Sequence, residues 1–149
     1  MKSFLLKDKK PIVKWGMVSD ETYFEGNVPE GYGLAICPNP PYVILDIDRH
    51  GDIDGFANIP EHLIDELKEH FRYDTKNMGK HIWLKYTGNE KLLNKTSGLG
   101  IDLRTSNGYV KWYLDADIRK YIHTIKPTSK PLNDWLESLF LGVNEKRYL

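Results

Sequence analysis

Six stretches of the chain combine β-branched and aromatic residues with bounding Gly, Pro or Asn. This pattern is typical of short strands that end in turns. Side chains alternate between the two faces of a strand, so each stretch also predicts which residues lie together. The predicted strands cover residues 11–15, 33–37, 42–48, 81–86, 100–104 and 108–114.

One further stretch, residues 60–72, has apolar residues at helical spacing. Leu63, Leu67 and Phe71 recur every four positions, which places them on one side of a helix. The stretch begins with a proline, which suits a first helical turn, and Asn58 is a candidate cap. These features predict a helix between the third and fourth strands.

A second helix is predicted over residues 131–141, where apolar residues form a broad face. Ser129 precedes this segment and Gly142 follows it, as expected for a capped start and a glycine end. Two helices are too few to cover both faces of a sheet of six strands. We therefore expect one α+β domain over residues 1–149, with a mixed or antiparallel sheet, helices mainly on one face, and a cleft on the other.

The composition narrows the class of protein. The chain has 149 residues, no net charge and one cysteine, Cys37, within an apolar stretch. A lone cysteine excludes a disulfide scaffold and a cysteine-rich zinc site. No stretch is apolar over the roughly 20 residues that a membrane-spanning helix needs. We expect a cytoplasmic protein without a membrane partner.

Charge is segregated along the chain although its total is zero. Residues 43–75 contain nine acidic and three basic residues, whereas residues 76–111 contain seven basic and two acidic residues. The first fourteen residues add five lysines and one aspartate. This pattern is compatible with an acidic cation site bordered by surfaces that attract phosphate. Solvated lysines around an acidic helix would give the same pattern.

Three predicted strands each have one apolar face and one face with charged residues. Alternation puts Asp46 and Asp48 on one face of the third strand, His81 on one face of the fourth, and Asp102 with Arg104 on one face of the fifth. If these faces belong to one side of one sheet, the three carboxylates converge. Such a cluster is unfavourable unless a cation neutralises it, and Mg²⁺ or Mn²⁺ prefers oxygen ligands of this kind.

Two nearby aspartates have a simpler interpretation. Asp52 and Asp54 follow the same strand within a glycine-containing turn. Aspartate often terminates strands and caps turns, because its carboxylate accepts hydrogen bonds from nearby backbone N–H groups. We expect both to have this structural role.

The order of motifs resembles the primase-polymerase (Prim-Pol) domain of the archaeo-eukaryotic primase superfamily, which occurs in phage and plasmid replication proteins. A basic approach to a tryptophan is followed by a strand of small residues and then by a strand that ends in Asp-x-Asp. A Thr-led, Gly-containing turn then enters a histidine strand, and an Asp-Arg strand precedes Gly-Tyr-Val. The matching segments, within about residues 7–113, are KKPIVKW, GYGLAIC, VILDIDRHG, DTKNMGKHIWLKY and GIDLRTSNGYV.

This resemblance implies metal-dependent, template-directed nucleotidyl transfer, the activity of a DNA primase or polymerase. Asp46, Asp48 and Asp102 would be the catalytic metal ligands for Mg²⁺ or Mn²⁺. His81 would contact the triphosphate of the incoming nucleotide, and Arg104 has the chemistry to bind phosphate. The implied partners are nucleoside triphosphates, single-stranded DNA as template and primer, and a separate replicative helicase.

Lys80 is a further candidate for nucleotide binding, with the alternative that it is simply solvated. Trp83 has two interpretations, stacking on a base or packing in the core. Met78 stands where the family pattern has the first of two glycines before the histidine. The family pattern also has a proline- and serine-rich segment after Gly-Tyr-Val, where this sequence has KWYLDADIRKY. These two differences keep open a non-catalytic DNA-binding or replication-regulating protein on a degenerate primase scaffold. A metal-dependent nuclease, using the same acids to direct water, also stays open.

Overall fold

The third predicted strand, with its alternating apolar residues, lies at the centre of the larger of two sheets.

The structure is a computed structural model that describes residues 1–141. The helices are α1 (Glu61–Glu69) and α2 (Lys130–Phe140). The strands are β1 (Lys2–Lys7), β2 (Lys10–Pro11), β3 (Tyr32–Cys37), β4 (Tyr42–Ile47), β5 (Arg49–His50), β6 (Ile53–Asp54), β7 (Arg72–Asp74), β8 (Lys80–Lys85), β9 (Lys95–Thr96), β10 (Ile101–Arg104) and β11 (Val110–Lys111).

The strands form two larger antiparallel sheets and one small hairpin. The main sheet has the order β7-β8-β4-β10-β9, so β4 lies at its centre. The second sheet has the order β11-β3-β1-β2, and β5 pairs with β6 alone. Every pair of neighbouring strands in these sheets is antiparallel. The α+β class predicted from the sequence is therefore confirmed.

Both helices pack on the same face of the main sheet. This face contributes Val43, Leu45 and Ile47 of β4, with Ile82 and Leu84 of β8 and Ile101 and Leu103 of β10. Burying a leucine or isoleucine side chain stabilises the fold by about 1.5–3 kcal/mol. The helices complete this core with Leu63, Leu67, Leu132, Leu136 and Phe140.

The opposite face of the main sheet is not an open cleft along its whole length. Ile44 and Trp83 are fully buried there, in a core that also contains Ile36 of β3 and Val110 of β11. The second sheet covers these apolar residues because exposing them to water would be unfavourable. Trp83 is thus a core residue, and the partly exposed aspartates lie outside this apolar core.

The two helices begin and end close to the predicted positions, with one difference of consequence. Helix α1 ends at Glu69, so Phe71 does not continue the apolar side of the helix. Phe71 instead packs in the core on the opposite face of the sheet, just before β7. Asn58 is not the cap of α1, because Pro60 occupies that position.

Helix α2 begins as the sequence predicts. The Oγ atom of Ser129 accepts a hydrogen bond from the backbone N–H of Leu132 at 3.3 Å, which satisfies one of the free donors at the start of the helix. The predicted end at Gly142 lies outside the described residues. Within residues 1–141, no helix is long and apolar enough to cross a membrane.

The strand at the start of the chain was not predicted. Lysines at both ends of β1 and a serine within it obscure the apolar alternation, but the strand pairs with β3 and β2 and is mostly buried. The predicted strand over residues 11–15 is reduced to Pro11 at the end of β2, and the one over residues 108–114 is reduced to β11. In these two segments the residues favour extended structure, but backbone pairing is available only for a few positions.

Candidate metal centre

Three carboxylates converge at the end of the central strand. Asp46 of β4 lies directly opposite Asp102 of the neighbouring strand β10, and Asp48 follows β4 by one residue. One carboxylate oxygen from each of these aspartates lies within 4.8 Å of the other two. All three are partly buried. The convergence expected from strand alternation is therefore present.

The backbone of Asp48 is held from two sides. Its N–H donates to the carbonyl oxygen of Gly100 at 2.8 Å, and its own carbonyl accepts from the N–H of Gly55, also at 2.8 Å. These bonds bring the two glycines into direct contact. A Cβ atom on Gly55 would lie 2.1 Å from the Gly100 oxygen, which no folded protein tolerates without movement. Asp48 thus has a fixed position although it lies outside the regular strand.

The turn before β8 closes the other side of Asp48. A Cβ atom on Gly79 would lie 2.6 Å from the carbonyl oxygen of Ile47 and 3.3 Å from Oδ1 of Asp48. Asn77 and Met78 in this turn have positive φ values of 61° and 63°. Met78 is 74% exposed, so its side chain does not occupy the space beside Asp48. The side chain of Met78 therefore points away from the acidic cluster and does not fill the space beside it.

Burial and mutual repulsion disfavour ionised carboxylates here. Burial raises the pKa of Asp48 above its usual range, and the neighbouring charge of Asp46 raises it further. Burial also raises the pKa of Asp102; the Arg104 guanidinium opposes this rise and the Asp46 carboxylate adds to it. A divalent cation would offset both burial and repulsion, because it neutralises the negative charges and binds the carboxylate oxygens in place of the water that burial removes.

His81 borders the acidic cluster and is buried, with 4% of its surface exposed. Its Nε2 atom lies 3.6 Å from Oδ1 of Asp46, a distance too long for a hydrogen bond. Its Nδ1 atom lies 3.1 Å from the hydroxyl of Tyr73, and that hydroxyl also accepts from Nε1 of Trp83 at 3.0 Å. The ring is therefore fixed on one side and faces the carboxylates on the other.

Of the two predicted basic residues, one lies at the cluster and one does not. Nη2 of Arg104 lies 3.5 Å from Oδ2 of Asp102, and Nη1 donates to the Leu103 carbonyl at 3.4 Å. Lys80 precedes His81 in β8 and so lies on the opposite face of the sheet, where its ammonium pairs with the exposed Asp74. A role for Lys80 in nucleotide binding stays a prediction without support from this arrangement.

Asp54 has the capping role expected from the sequence. Its Oδ1 atom accepts a hydrogen bond from the N–H of Phe56 at 3.0 Å and starts the short 3₁₀ turn Gly55–Asn58. Asp52 is exposed in the turn between β5 and β6. Neither belongs to the group of three acids that could hold a metal.

A groove lies next to His81, the residue that borders the cluster. It has a volume of about 600 Å³ and lies between the β1–β2 turn, β3, β11 and the turn before β8. One of its lining residues, Tyr113, also contacts the ring of His81 edge-on, with centroids 5.8 Å apart. The charged and aromatic residues that line it are Asp8, Lys9, Tyr32, Lys76, Tyr109, Lys111 and Tyr113.

Sequence reasoning missed the tyrosines of this region. Tyr73 was not assigned to a strand because the helical pattern continues through Phe71, and Tyr113 was assigned to the predicted strand over residues 108–114 without any role. The available signal for Tyr73 was the alternation of Phe71 and Tyr73 with polar residues just after the helix. Its partner could not be identified without the pairing of Tyr73 with His81 across β7 and β8.

The three carboxylates could hold a hard divalent cation such as Mg²⁺ or Mn²⁺, because such cations prefer oxygen ligands. Within the described residues, this is the one group of His, Cys, Asp and Glu side chains close enough together to hold a metal. The sequence matches no model of a known protein family, and no curated protein matches it significantly. The chemistry of these residues is therefore the basis for a functional proposal.

Proposed function

We propose that this protein is a small primase-polymerase-like nucleotidyltransferase that uses Mg²⁺ or Mn²⁺. The observation that supports this proposal is the convergence of Asp46, Asp48 and Asp102, with ligand oxygens within 4.8 Å of one another. Arg104 and His81 lie at the border of this group. Acidic ligands beside two nitrogen donors are suited to a metal-bound triphosphate.

The roles of the residues follow from their chemistry. In the proposed reaction, the 3′-hydroxyl oxygen of a primer attacks the α-phosphorus of a nucleoside triphosphate, and the bond to pyrophosphate breaks. Bound divalent ions would lower the pKa of that hydroxyl and offset charge on the leaving oxygens. The three aspartates would hold those ions, and Arg104 and His81 would donate hydrogen bonds to phosphate oxygens. The stiff β4–β10 pair would keep these groups in register.

Nucleotide incorporation is the direct test. The protein would be incubated with labelled dNTPs or NTPs on primed and unprimed single-stranded DNA, with Mg²⁺ or Mn²⁺. We expect extension of the primed template that requires metal and is absent from Asp46→Asn. Asp52→Asn is a matched control, because it removes an exposed acid from the same segment and leaves the group of three intact.

The other outcomes of this assay are informative. Metal-dependent shortening of the DNA without incorporation would indicate the nuclease, in which the same acids direct water at phosphorus. DNA binding without either reaction would indicate the non-catalytic, replication-regulating protein. The proposal extends to the partners and location predicted from the sequence, namely a separate replicative helicase and the cytoplasm.

We further propose that the groove beside His81 receives single-stranded DNA. It combines the ammonium groups of Lys9, Lys76 and Lys111 with the tyrosine rings of the same groove. Lysines attract the phosphate backbone, and aromatic rings stack on bases with little dependence on sequence. The ammonium of Lys111 lies 5.4 Å from the ring centre of Tyr113, so charge and stacking surface adjoin.

With no net positive charge, the protein should bind single-stranded DNA weakly and with a steep dependence on salt. We expect the double substitution Lys76→Ala/Lys111→Ala to weaken binding and to lower the slope of log affinity against log salt by about 1.4, since each contact to a single strand contributes about 0.7. Fluorescence anisotropy over a salt series would measure both quantities.

The double substitution Lys68→Ala/Lys130→Ala is the control for this experiment. It removes the same charge from exposed positions on the two helices, which lie on the other face of the main sheet. Equal loss of affinity in both double variants would contradict the groove as the binding surface. Tight binding that survives high salt would favour a sequence-specific binding protein.

A further inference from the structure

A buried chain of hydrogen-bonding side chains leads from the core to the acidic cluster. Trp83 and Tyr73 are in contact through the indole N–H and the tyrosine oxygen at 3.0 Å. The same oxygen lies 3.1 Å from Nδ1 of His81. All three side chains are at least 90% buried, so their polar atoms depend on one another for hydrogen bonds.

When the imidazole is neutral, only one assignment of donors and acceptors lets the Tyr73 hydroxyl both accept and donate a hydrogen bond. An indole N–H can only donate, so Trp83 uses the Tyr73 oxygen as an acceptor. The hydroxyl retains one hydrogen, and among the described residues Nδ1 of His81 is its other partner. If the hydroxyl donates this hydrogen, Nδ1 is the acceptor and the ring hydrogen is on Nε2.

We propose that Tyr73 is a positioning residue that keeps His81 in the tautomer with its hydrogen on Nε2. This hydrogen then lies on the side of the ring that faces Asp46, 3.6 Å away, and not on the side that faces the core. A donor in this position can bind an anionic oxygen that enters beside Asp46. In this respect the inference rests on the proposed function, in which that oxygen belongs to a triphosphate.

A neutral donor is well suited to this position. The Asp46 carboxylate is too far from Nε2 to take its hydrogen bond, so the N–H remains available to a ligand. The edge-on rings of Tyr73 and Tyr113, with centroids 5.4 and 5.8 Å from that of His81, limit rotation of the imidazole. Tyr73 thus determines which ring nitrogen of His81 carries the hydrogen and also helps to fix the orientation of the ring.

Nitrogen-15 spectra of the histidine rings test the tautomer directly, without metal or nucleotide. At about pH 8, where an ordinary histidine is neutral, we expect His81 to show a protonated Nε2 and an unprotonated, hydrogen-bonded Nδ1. In Tyr73→Phe, the Nδ1 resonance should move to the value of a nitrogen without a hydrogen bond. A proton on Nδ1 in the parent protein would overturn the proposal, whether or not the protein is an enzyme.

Calorimetry separates the effect on nucleotide from the effect on metal. We expect His81→Ala to weaken nucleotide binding in the presence of Mn²⁺ roughly 10- to 150-fold, the range for a lost hydrogen bond to a charged group. Tyr73→Phe should weaken it about 10-fold, as for other residues that orient a ligand-binding group. Both variants should retain Mn²⁺ affinity close to that of the parent.

Two further variants make the test specific. Tyr86→Phe removes a tyrosine hydroxyl that donates to Glu137 at 2.7 Å, in the helix-packed region of the protein, and should change neither the spectrum of His81 nor nucleotide binding. Trp83→Phe removes the donor to Tyr73 but leaves Tyr73 able to donate to His81, so the tautomer should persist.

If Tyr73→Phe bound nucleotide as well as the parent while its Nδ1 resonance moved, Tyr73 would have no positioning role. If the parent bound no nucleotide but had the expected tautomer, the proposed function alone would fail.

Discussion

Replacing Asp46 by asparagine should abolish the stabilisation of this protein by Mn²⁺ while leaving the metal-free protein as stable as the parent, or more stable. Without a cation, the carboxylates of Asp46, Asp48 and Asp102 repel one another within a partly buried cluster. Asparagine has nearly the same shape without the charge, so it relieves repulsion and removes a ligand. A parent protein at about 100 times its metal dissociation constant should gain about 2.7 kcal/mol in the free energy of unfolding.

Thermal melts with and without Mn²⁺ would measure this difference. The control is Asp52→Asn, which should respond to Mn²⁺ like the parent because Asp52 is exposed and outside the group of three. An Asp46→Asn protein that gained as much stability from Mn²⁺ as the parent would show that the metal binds elsewhere.

The pH dependence of the metal-free protein provides a second readout of the same repulsion. The pKa values of Asp48 and Asp102 are raised in the folded state, mainly by burial. The folded protein therefore binds these protons more tightly than the unfolded chain, so the contribution of these two groups to stability falls as the pH rises above about 4, the ordinary pKa of aspartate. Asp48→Asn removes one of these groups, so its stability relative to the parent should increase as the pH rises through this range. Melts in the presence of a chelator would measure this trend.

The substitution Gly55→Ala should be strongly destabilising, although the backbone of Gly55 does not need a positive φ. A Cβ atom there would lie 2.1 Å from the Gly100 oxygen and 2.9 Å from Cγ2 of Ile47. Because the first neighbour is backbone, relief requires the two segments to separate. We expect a loss of about 3 kcal/mol or more, above the usual effect of overpacking, and a melting temperature lower by roughly 10 °C.

The same movement should weaken metal binding, because the Gly55–Gly100 contact holds the backbone of Asp48. The matched control is Gly16→Ala, since a Cβ atom on Gly16 would have no neighbour within 4 Å. Its stability should remain within about 0.5 kcal/mol of the parent. A Gly55→Ala protein with unchanged stability and Mn²⁺ affinity would show that the two segments are not in contact in solution.

The faces of the main sheet could be predicted from the sequence where apolar and polar residues alternate strictly. In β4, β8 and β10 this alternation places every apolar residue of one set against the helices. The end of α1 could not be predicted, because Phe71 continues the helical spacing. Its ring is stacked on Tyr121, 4.9 Å away between centroids, and also contacts the ring of Trp112, so Phe71 packs against partners that are distant in sequence.

Of the candidate metal centre, the sequence could predict only the convergence of the aspartates, which follows from side-chain alternation along the strands. Asp46 and Asp102 were placed together by alternation, and the structure adds that they lie directly opposite each other. The contact between Gly55 and Gly100 joins two segments without any shared pattern. The hydrogen bond between Tyr73 and His81 depends on β7, a strand that the sequence pattern did not predict. Such contacts depend on the pairing of whole strands, which a local pattern does not specify.

Because β4 lies at the centre of the main sheet, a ligand bound by the acidic cluster should oppose the cooperative opening of the whole sheet. Its neighbours β8 and β10 are remote in sequence, and the aspartates converge only when β4 is paired with β10. A cation held there would oppose opening of this pair more than fraying of β9, the short strand at one edge of the main sheet. For amides in the middle of the sheet, whose hydrogen exchange reports on global opening, the opening free energy should therefore rise by the binding free energy, while exchange at the sheet edges should change little.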